Sequence, residues 1–164
     1  MSRVGIIMGS DSDWPIMEAA HKQLMELGLK SEVLVASAHR NPETVREFAQ
    51  GARAGGIGVI IAGAGAAAHL PGVVASFTTL PVIGVPISGG PFKGVEALLS
   101  IVQMPPGIPV ATMAVDGAKN AALFAAAILA VGDEALAAKL ADFRAKQAEA
   151  VKAKNEALQI KIAQ

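Results

Sequence analysis

The chain has 164 residues, 52% of them apolar and 17% charged, and its 14 basic side chains balance 14 acidic ones. That length supports one domain with one sizeable core, and zero net charge gives no electrostatic reason to expect nucleic acid or an anionic membrane as partner. The absence of cysteine excludes disulfides, thiolate zinc ligands and thiol nucleophiles.

Residues 4–8 open the chain as a short Val- and Ile-rich run that predicts a strand, and its start at Arg3 leaves no room for a signal peptide. A cytoplasmic protein is expected. Residues 13–28 carry Met17, Leu24 and Met25 as a helical apolar face and close on Gly28, a C-terminal stop. A second strand is expected over 32–36. Asn41-Pro42, an N-cap followed by proline at the first helical position, leads into Val45, Phe48, Ala49 and Ala52. Further strands are expected over 58–62, 81–86 and 108–115, and further helices over 94–104 and 118–131. From Glu134 a long, charged, Ala-rich helix with Leu136, Leu140 and Phe143 on one side runs towards the C-terminus.

This alternation predicts an α/β fold, a three-layer α/β/α sandwich around a parallel, doubly wound sheet whose strands are covered on both faces. No repeat or linker breaks it, so residues 1–164 read as a single domain, with a core of about 3–132 and a helical extension of about 133–164. Residues 121–131 are all apolar. A membrane-spanning helix needs about 20 such residues, so no membrane span is expected. A helix apolar on every side must be buried on every side, and other subunits are expected to cover its outer face.

Ligands in such sheets sit beyond the carboxyl ends of the strands. After the first strand come Gly9-Ser10-Asp11-Ser12-Asp13, where free backbone N–H groups and two hydroxyls at a helix start favour an anion. One of the two aspartates is expected to cap the helix and the other to face sugar hydroxyls; a plain N-cap at Ser12 or Asp13 is the alternative. After the second strand, Ser37-Ala38-His39-Arg40 sets a proton carrier beside a phosphate-pairing guanidinium. After the third, Gly63-Ala64-Gly65-Ala66-Ala67-Ala68-His69-Leu70-Pro71-Gly72 allows backbone to approach a ligand closely, or a helix to pack tightly on the sheet. His69 serves either substrate or loop packing, and His21, inside a helix, is read as structural. Three histidines in separate segments, with neither H-x-x-x-H nor a carboxylate cluster, leave no metal site to expect. The Gly9–Asp13 segment is neither the G-x-G-x-x-G fingerprint nor a P-loop. The residues by themselves reach a small phosphorylated ligand with proton transfer by His39.

At these motifs the chain resembles the PurE family, the 5-(carboxyamino)imidazole ribonucleotide mutases. Met8-Gly9-Ser10-Asp11-Ser12-Asp13-Trp14, Ser37-Ala38-His39-Arg40, Gly63-Ala64-Gly65 with Ala67-Ala68-His69-Leu70-Pro71-Gly72, and Ser100-Ile101-Val102-Gln103-Met104-Pro105 with Gly107-Ile108-Pro109-Val110 match it in order and spacing, over about residues 3–145. The resemblance implies a flavodoxin-like sandwich assembled as a homo-octamer, with sites at subunit contacts and no cofactor. It implies purine biosynthesis, in which a carboxylate moves from the exocyclic nitrogen of an imidazole ribonucleotide to ring carbon C4, carbon dioxide being released and recaptured while His39 shuttles a proton. An imidazole, able to give and take a proton near neutral pH, suits that task. It further implies phosphate, ribose and carboxylate contacts at Ser10, Ser12, Asp13, Ser37 and Arg40. Ala38, Gly63, Ala64, Gly65, His69 and Leu70 complete the expected substrate-binding set.

A related branch acts as a carbon dioxide-dependent carboxylase, usually lacking His-Leu-Pro-Gly and often carrying Lys after the histidine. Arg40 and His69-Leu70-Pro71-Gly72 match the mutases instead. The remaining rival is a non-catalytic flavin- or nucleotide-binding protein on the same sheet. Ala66 stands where the family commonly has glycine, Pro106 where it often has Arg or Gly, and residues 88–93 match nothing securely.

Overall fold

A computed structural model describes residues 3–163. The first strand, β1 (Arg3–Met8), is hydrogen-bonded on both sides, to β2 (Ser31–Val35) and to β3 (Ile57–Gly65). β4 (Val82–Ile87) and a two-residue β5 (Ala111–Thr112) continue beyond β3. All pairs are parallel and the order is β2-β1-β3-β4-β5, the flavodoxin-like arrangement that was expected.

Because side chains alternate along a strand, each run of Val and Ile feeds two cores. On one face Val4, Ile6, Met8, Val59, Ile61 and Ile83 meet Met17, Ala20 and Leu24 of α1 (Trp14–Glu26) and the alanines of α5 (Ala118–Ala130). On the other, Ile7, Ile60, Ala62 and Val82 meet α2 (Pro42–Gly51), α3 (Leu70–Ser76) and α4 (Val95–Val102) through Val45, Val74 and Ile101. Removing this apolar area from water is the main term favouring the fold. α1 stops as Gly28 takes φ +77 and Leu29 N–H donates back to Leu24 O at 2.9 Å.

The long final helix, α6 (Glu134–Ile162), is capped by Asp133, whose Oδ1 accepts from Leu136 N at 3.0 Å. It docks through buried Leu136 and through Lys139 Nζ, which donates to Leu27 O at 2.9 Å. Residues 144–162 of it are exposed. Among the described residues no helix is long and apolar enough to cross a membrane.

Several expectations are corrected. β2 is an edge strand and is not covered on both faces; Glu32, Val33 and Val35 are exposed. Met25 faces solvent, at the flank of the α1 apolar stripe. β3 runs on to Gly65, so the Gly63-Ala64-Gly65 segment is strand and not loop. Residues 70–72, read as the end of the small-residue segment after the third strand, begin α3, which runs to Ser76; Pro71 lies in its first turn, where the missing N–H has no partner to lose. The expected strand 108–115 shrinks to two residues. Pro109 cannot donate to a ladder, and Asp116 turns the chain at φ +57. The outer face of α5, which other subunits were expected to cover, is a separate case and no correction: it is open in the protomer, with Phe124 exposed on it and Val131 exposed just past its end.

Candidate active site

Met8 at the end of β1 pairs with both Val35 and Gly63, so three connections leave the sheet at one level. This is the point where the strand order reverses, the usual ligand position in an open α/β sheet. A cavity of about 290 Å³ lies there. Its wall is made by Gly9, Ser10, Ser12 and Asp13 after β1, Ser37, Ala38, His39 and Arg40 after β2, and Ala64, Gly65, Ala66, Ala67, His69 and Leu70 around the end of β3. Ile87 and Gly89, at the end of β4, close it.

Every residue of the expected catalytic and substrate-binding set lies in this wall except Gly63. A Cβ at that position would stand 2.5 Å from Met17 Sδ, so the glycine lets α1 approach the sheet, and the cavity begins one residue later. Ile87 escaped notice, and Gly89 belongs to the 88–93 stretch read as either substrate contact or flexible turn; applying the strand-end rule to β4 as well points to both.

The serine turn is built as a capping box. Ser10 Oγ accepts from Ser12 N at 3.3 Å, and Asp13 Oδ2 accepts from Ser10 N at 3.1 Å, across a 3₁₀ turn at Asp11–Asp13 that runs straight into α1. Ser12 Oγ also donates to Ser10 Oγ at 2.9 Å. Asp13 supplies the cap that one of the two aspartates was expected to provide. Asp13 both caps the turn and lines the cavity, while Asp11 is exposed beside Ser10 Oγ. Burial pushes the Asp13 carboxyl above the ordinary carboxylate range, against the hydrogen bonds from Ser10 and Gly9 backbone and the charge of Arg40, which favour its ionised form.

The second loop winds around Ser37. Its Oγ accepts from His39 N at 3.4 Å, from Arg40 N at 3.3 Å and from Arg40 Nε at 3.4 Å. Asn41 occupies the cap position of α2 but does not cap it with its side chain. Instead Oδ1 turns back to accept from Ser37 N at 2.6 Å, which tightens the loop. Arg40 Nη2 donates to Gly9 O at 3.0 Å and so ties this loop to the first.

His39 and His69, thirty residues apart, meet across the cavity wall. His39 Nε2 lies 2.8 Å from His69 Nδ1, with the rings edge to face at a centroid distance of 5.0 Å. One nitrogen must donate and the other accept, so a single hydrogen sits between the rings. His21 is apart from this, with Nδ1 2.7 Å from Ser31 Oγ and its ring near Trp14, which agrees with a structural reading. Among the described residues no three of His, Asp and Glu gather as metal ligands. A larger cavity of about 750 Å³, lined by Arg53, Thr78, Thr79 and Pro109, sits where β4 and β5 begin, at the opposite end of the sheet. It offers a single charged side chain and no proton carrier.

A model of the AIR carboxylase family matches residues 3–150. The chain belongs to that family. It is 53% identical over 157 residues to the N5-carboxyaminoimidazole ribonucleotide mutase of Mycobacterium tuberculosis, covering 96% of this chain and 90% of that one. To the mutase of the same name from Pyrococcus abyssi it is 57% identical over 144 residues, covering 88% and 83%. The crystal structure of Treponema denticola PurE superposes with a TM-score of 0.87 at 28% identity, covering 95% of this chain and 98% of that one.

Ala66 adopts φ +50 in the cavity wall, a left-handed conformation that favours glycine. A left-handed alanine costs of order 1 kcal/mol. Ala66→Gly is expected to raise stability by about 1 kcal/mol, read as a higher urea midpoint at constant m value; an unchanged midpoint would show that no strain is stored there. For Asp13 the sign is opposite to that of a salt-bridged carboxylate. A raised pKa in the folded state favours the protonated form, so wild-type stability falls as pH rises through that pKa. Asp13→Asn retains the acceptor for Ser10 N and loses the charge. It should unfold at higher urea than wild type at pH 7, with the gap closing on acidification below the ordinary carboxylate range. A gap that persists at acid pH would rule out the charge as its cause.

Proposed function

We infer that this chain converts 5-(carboxyamino)imidazole ribonucleotide into 4-carboxy-5-aminoimidazole ribonucleotide in purine biosynthesis, as an isomerase. High identity to chains named as mutases, over most of both lengths, supports the reaction. The observation that carries the chemistry is the His39–His69 pair, with its 2.8 Å contact, in the same wall as the serine turn.

In this reading the phosphate and ribose meet Ser10 and Ser12, with Asp13 towards the sugar hydroxyls. Ser37 and Arg40 supply donors and positive charge for phosphate or carboxylate. Ala38, Ala64, Gly65 and Leu70 keep the wall low enough for the imidazole ring to lie near backbone, and Gly63 acts one layer behind them.

Protonated His39 gives its proton to the exocyclic nitrogen as the bond from that nitrogen to the carboxylate carbon breaks. The bonding pair stays on nitrogen and carbon dioxide is released. The amine's lone pair feeds into the ring, C4 attacks carbon dioxide, and a carbon–carbon bond forms. Neutral His39 then removes the C4 proton and restores aromaticity. Proton and carbon dioxide are both returned within one cycle, so the reaction calls for no cofactor. His69 holds the imidazole of His39 in place through the hydrogen bond between their ring nitrogens.

The family model's description favours one second reading, carbon dioxide-dependent carboxylation of aminoimidazole ribonucleotide. Arg40 and His69–Leu70 argue for the mutase branch. We further propose that the whole chain is one catalytic domain working in the cytoplasm as a homo-octamer. Apolar side chains left open to solvent in the protomer, among them Val33, Phe124 and Val131, support burial against further copies.

His39→Asn should fold and bind ligand while turnover drops by at least about 10²-fold, the scale of a lost acid–base group. Normal turnover would remove His39 from the mechanism. In the same assay the wild type should convert the carboxyamino substrate without added bicarbonate; an absolute need for bicarbonate would favour the carboxylase. Light scattering should give a mass near eight chains, and a monomer mass independent of concentration would refute the assembly.

A further inference from the structure

We propose that Asp116, which lies outside the cavity wall, is a positioning residue for the site: it fixes the connection between β4 and α4 from which Gly89 meets the ligand. The proposal rests on the functional reading above and adds to it a residue at the start of α5 and a loop, residues 88–94, that it leaves without a role.

Both oxygens of the Asp116 carboxylate are spent on one residue of that loop. Oδ1 accepts from Ser88 N at 2.9 Å and Oδ2 accepts from Ser88 Oγ at 2.5 Å. Hydrogen bonds to an ionised acceptor are about twice as strong as neutral ones, and two from one residue fix orientation as well as distance. Asp116 is itself anchored, its N–H donating to Pro86 O at 2.8 Å, one strand position before the cavity residue Ile87. It reaches that geometry at φ +57, a conformation that Asp tolerates better than most side chains.

The far end of the loop returns to the same place. Gly94 takes φ +91, and a Cβ there would stand 2.5 Å from Val115 Cγ1 and 3.2 Å from Ser88 Cα. Glu96 Oε2 accepts from Gly94 N at 3.1 Å. Its other oxygen is buried without a partner, in the space a Cβ on Gly90 would occupy. Two carboxylates thus hold the two feet of the loop. Among the described residues, the hydrogen bonds of 89–93 stay within the loop's own turns, Lys93 N to Gly90 O and Val95 N to Phe92 O. Gly89, with open space around its Cα, therefore takes its place over the cavity from its neighbour Ser88, and Ser88 takes its place from Asp116.

The test is steady-state kinetics on the full chain with the carboxyamino ribonucleotide as substrate. Asp116→Gly suits the left-handed φ, so folding is kept while the clamp is lost. It should raise KM roughly tenfold and leave kcat within about threefold, the pattern of a lost ground-state and transition-state contact. Asp116→Asn, which retains an acceptor for Ser88 N, should recover most of that affinity, and Ser88→Ala should raise KM about threefold. A purely structural role would lower the melting temperature and leave KM alone. KM within about twofold of wild type in a folded Asp116→Gly chain overturns the proposal; if that variant does not fold, an unchanged KM in Ser88→Ala overturns it. A wild type without turnover removes this proposal together with the functional reading, whereas an active wild type with indifferent variants removes this one alone.

Discussion

Everything at the site depends on β1 being hydrogen-bonded on both edges. Because Met8 is level with Val35 on one side and Gly63 on the other, the loops after β1, β2 and β3 emerge together. Parallel pairing demands a crossover for each strand, and the crossovers after β1 and β3 leave to opposite faces, α1 to one core and α3 to the other. The cleft opens between them. Backbone donors at the start of α1 and an imidazole at the start of α3 then look across a gap of nucleotide scale.

The cleft is bought at some cost in stability. Asp13 is held partly out of water in a form its surroundings do not favour, and Ala66 sits at positive φ in the wall. Around them the fold rests on alternating Val and Ile on the strands, small residues where α1 and α5 press on the sheet, a side-chain cap at the start of α6 and a glycine stop after α1. Ala66 and Asp13 thus place strain and desolvation where a ligand would lie, while the left-handed Lys93 and Asp116 lie outside the wall, before α4 and α5.

A mutase that releases and recaptures carbon dioxide needs little electrostatic machinery and much containment. In the mechanism proposed above the histidine pair meets the first need, since one proton given and taken back leaves the enzyme unchanged. Containment is a matter of walls, and the walls here come from four strand ends, including the β4 connection that Asp116 and Glu96 pin down. Apolar side chains of β2, α4 and α5 are exposed in the protomer, and the assembly proposed above would cover them.

The order of strands and helices, the parallel sheet and almost all of the cavity wall were legible in the residues, because period-2 and period-3.6 patterns and the residues at strand ends are local properties. The family followed from four motifs in order. What tertiary structure alone decided are matters of contact between distant segments. These include the His39–His69 hydrogen bond, the turning of Asn41 back to Ser37, and the clamp of Asp116 on Ser88. They also include the service of Gly63 to Met17 and not to the cavity. The limits of β3, α3 and β5 belong with these, for a strand continues while a neighbour offers hydrogen bonds and ends where a proline or a turn withdraws them, and neither neighbour is named in the local sequence.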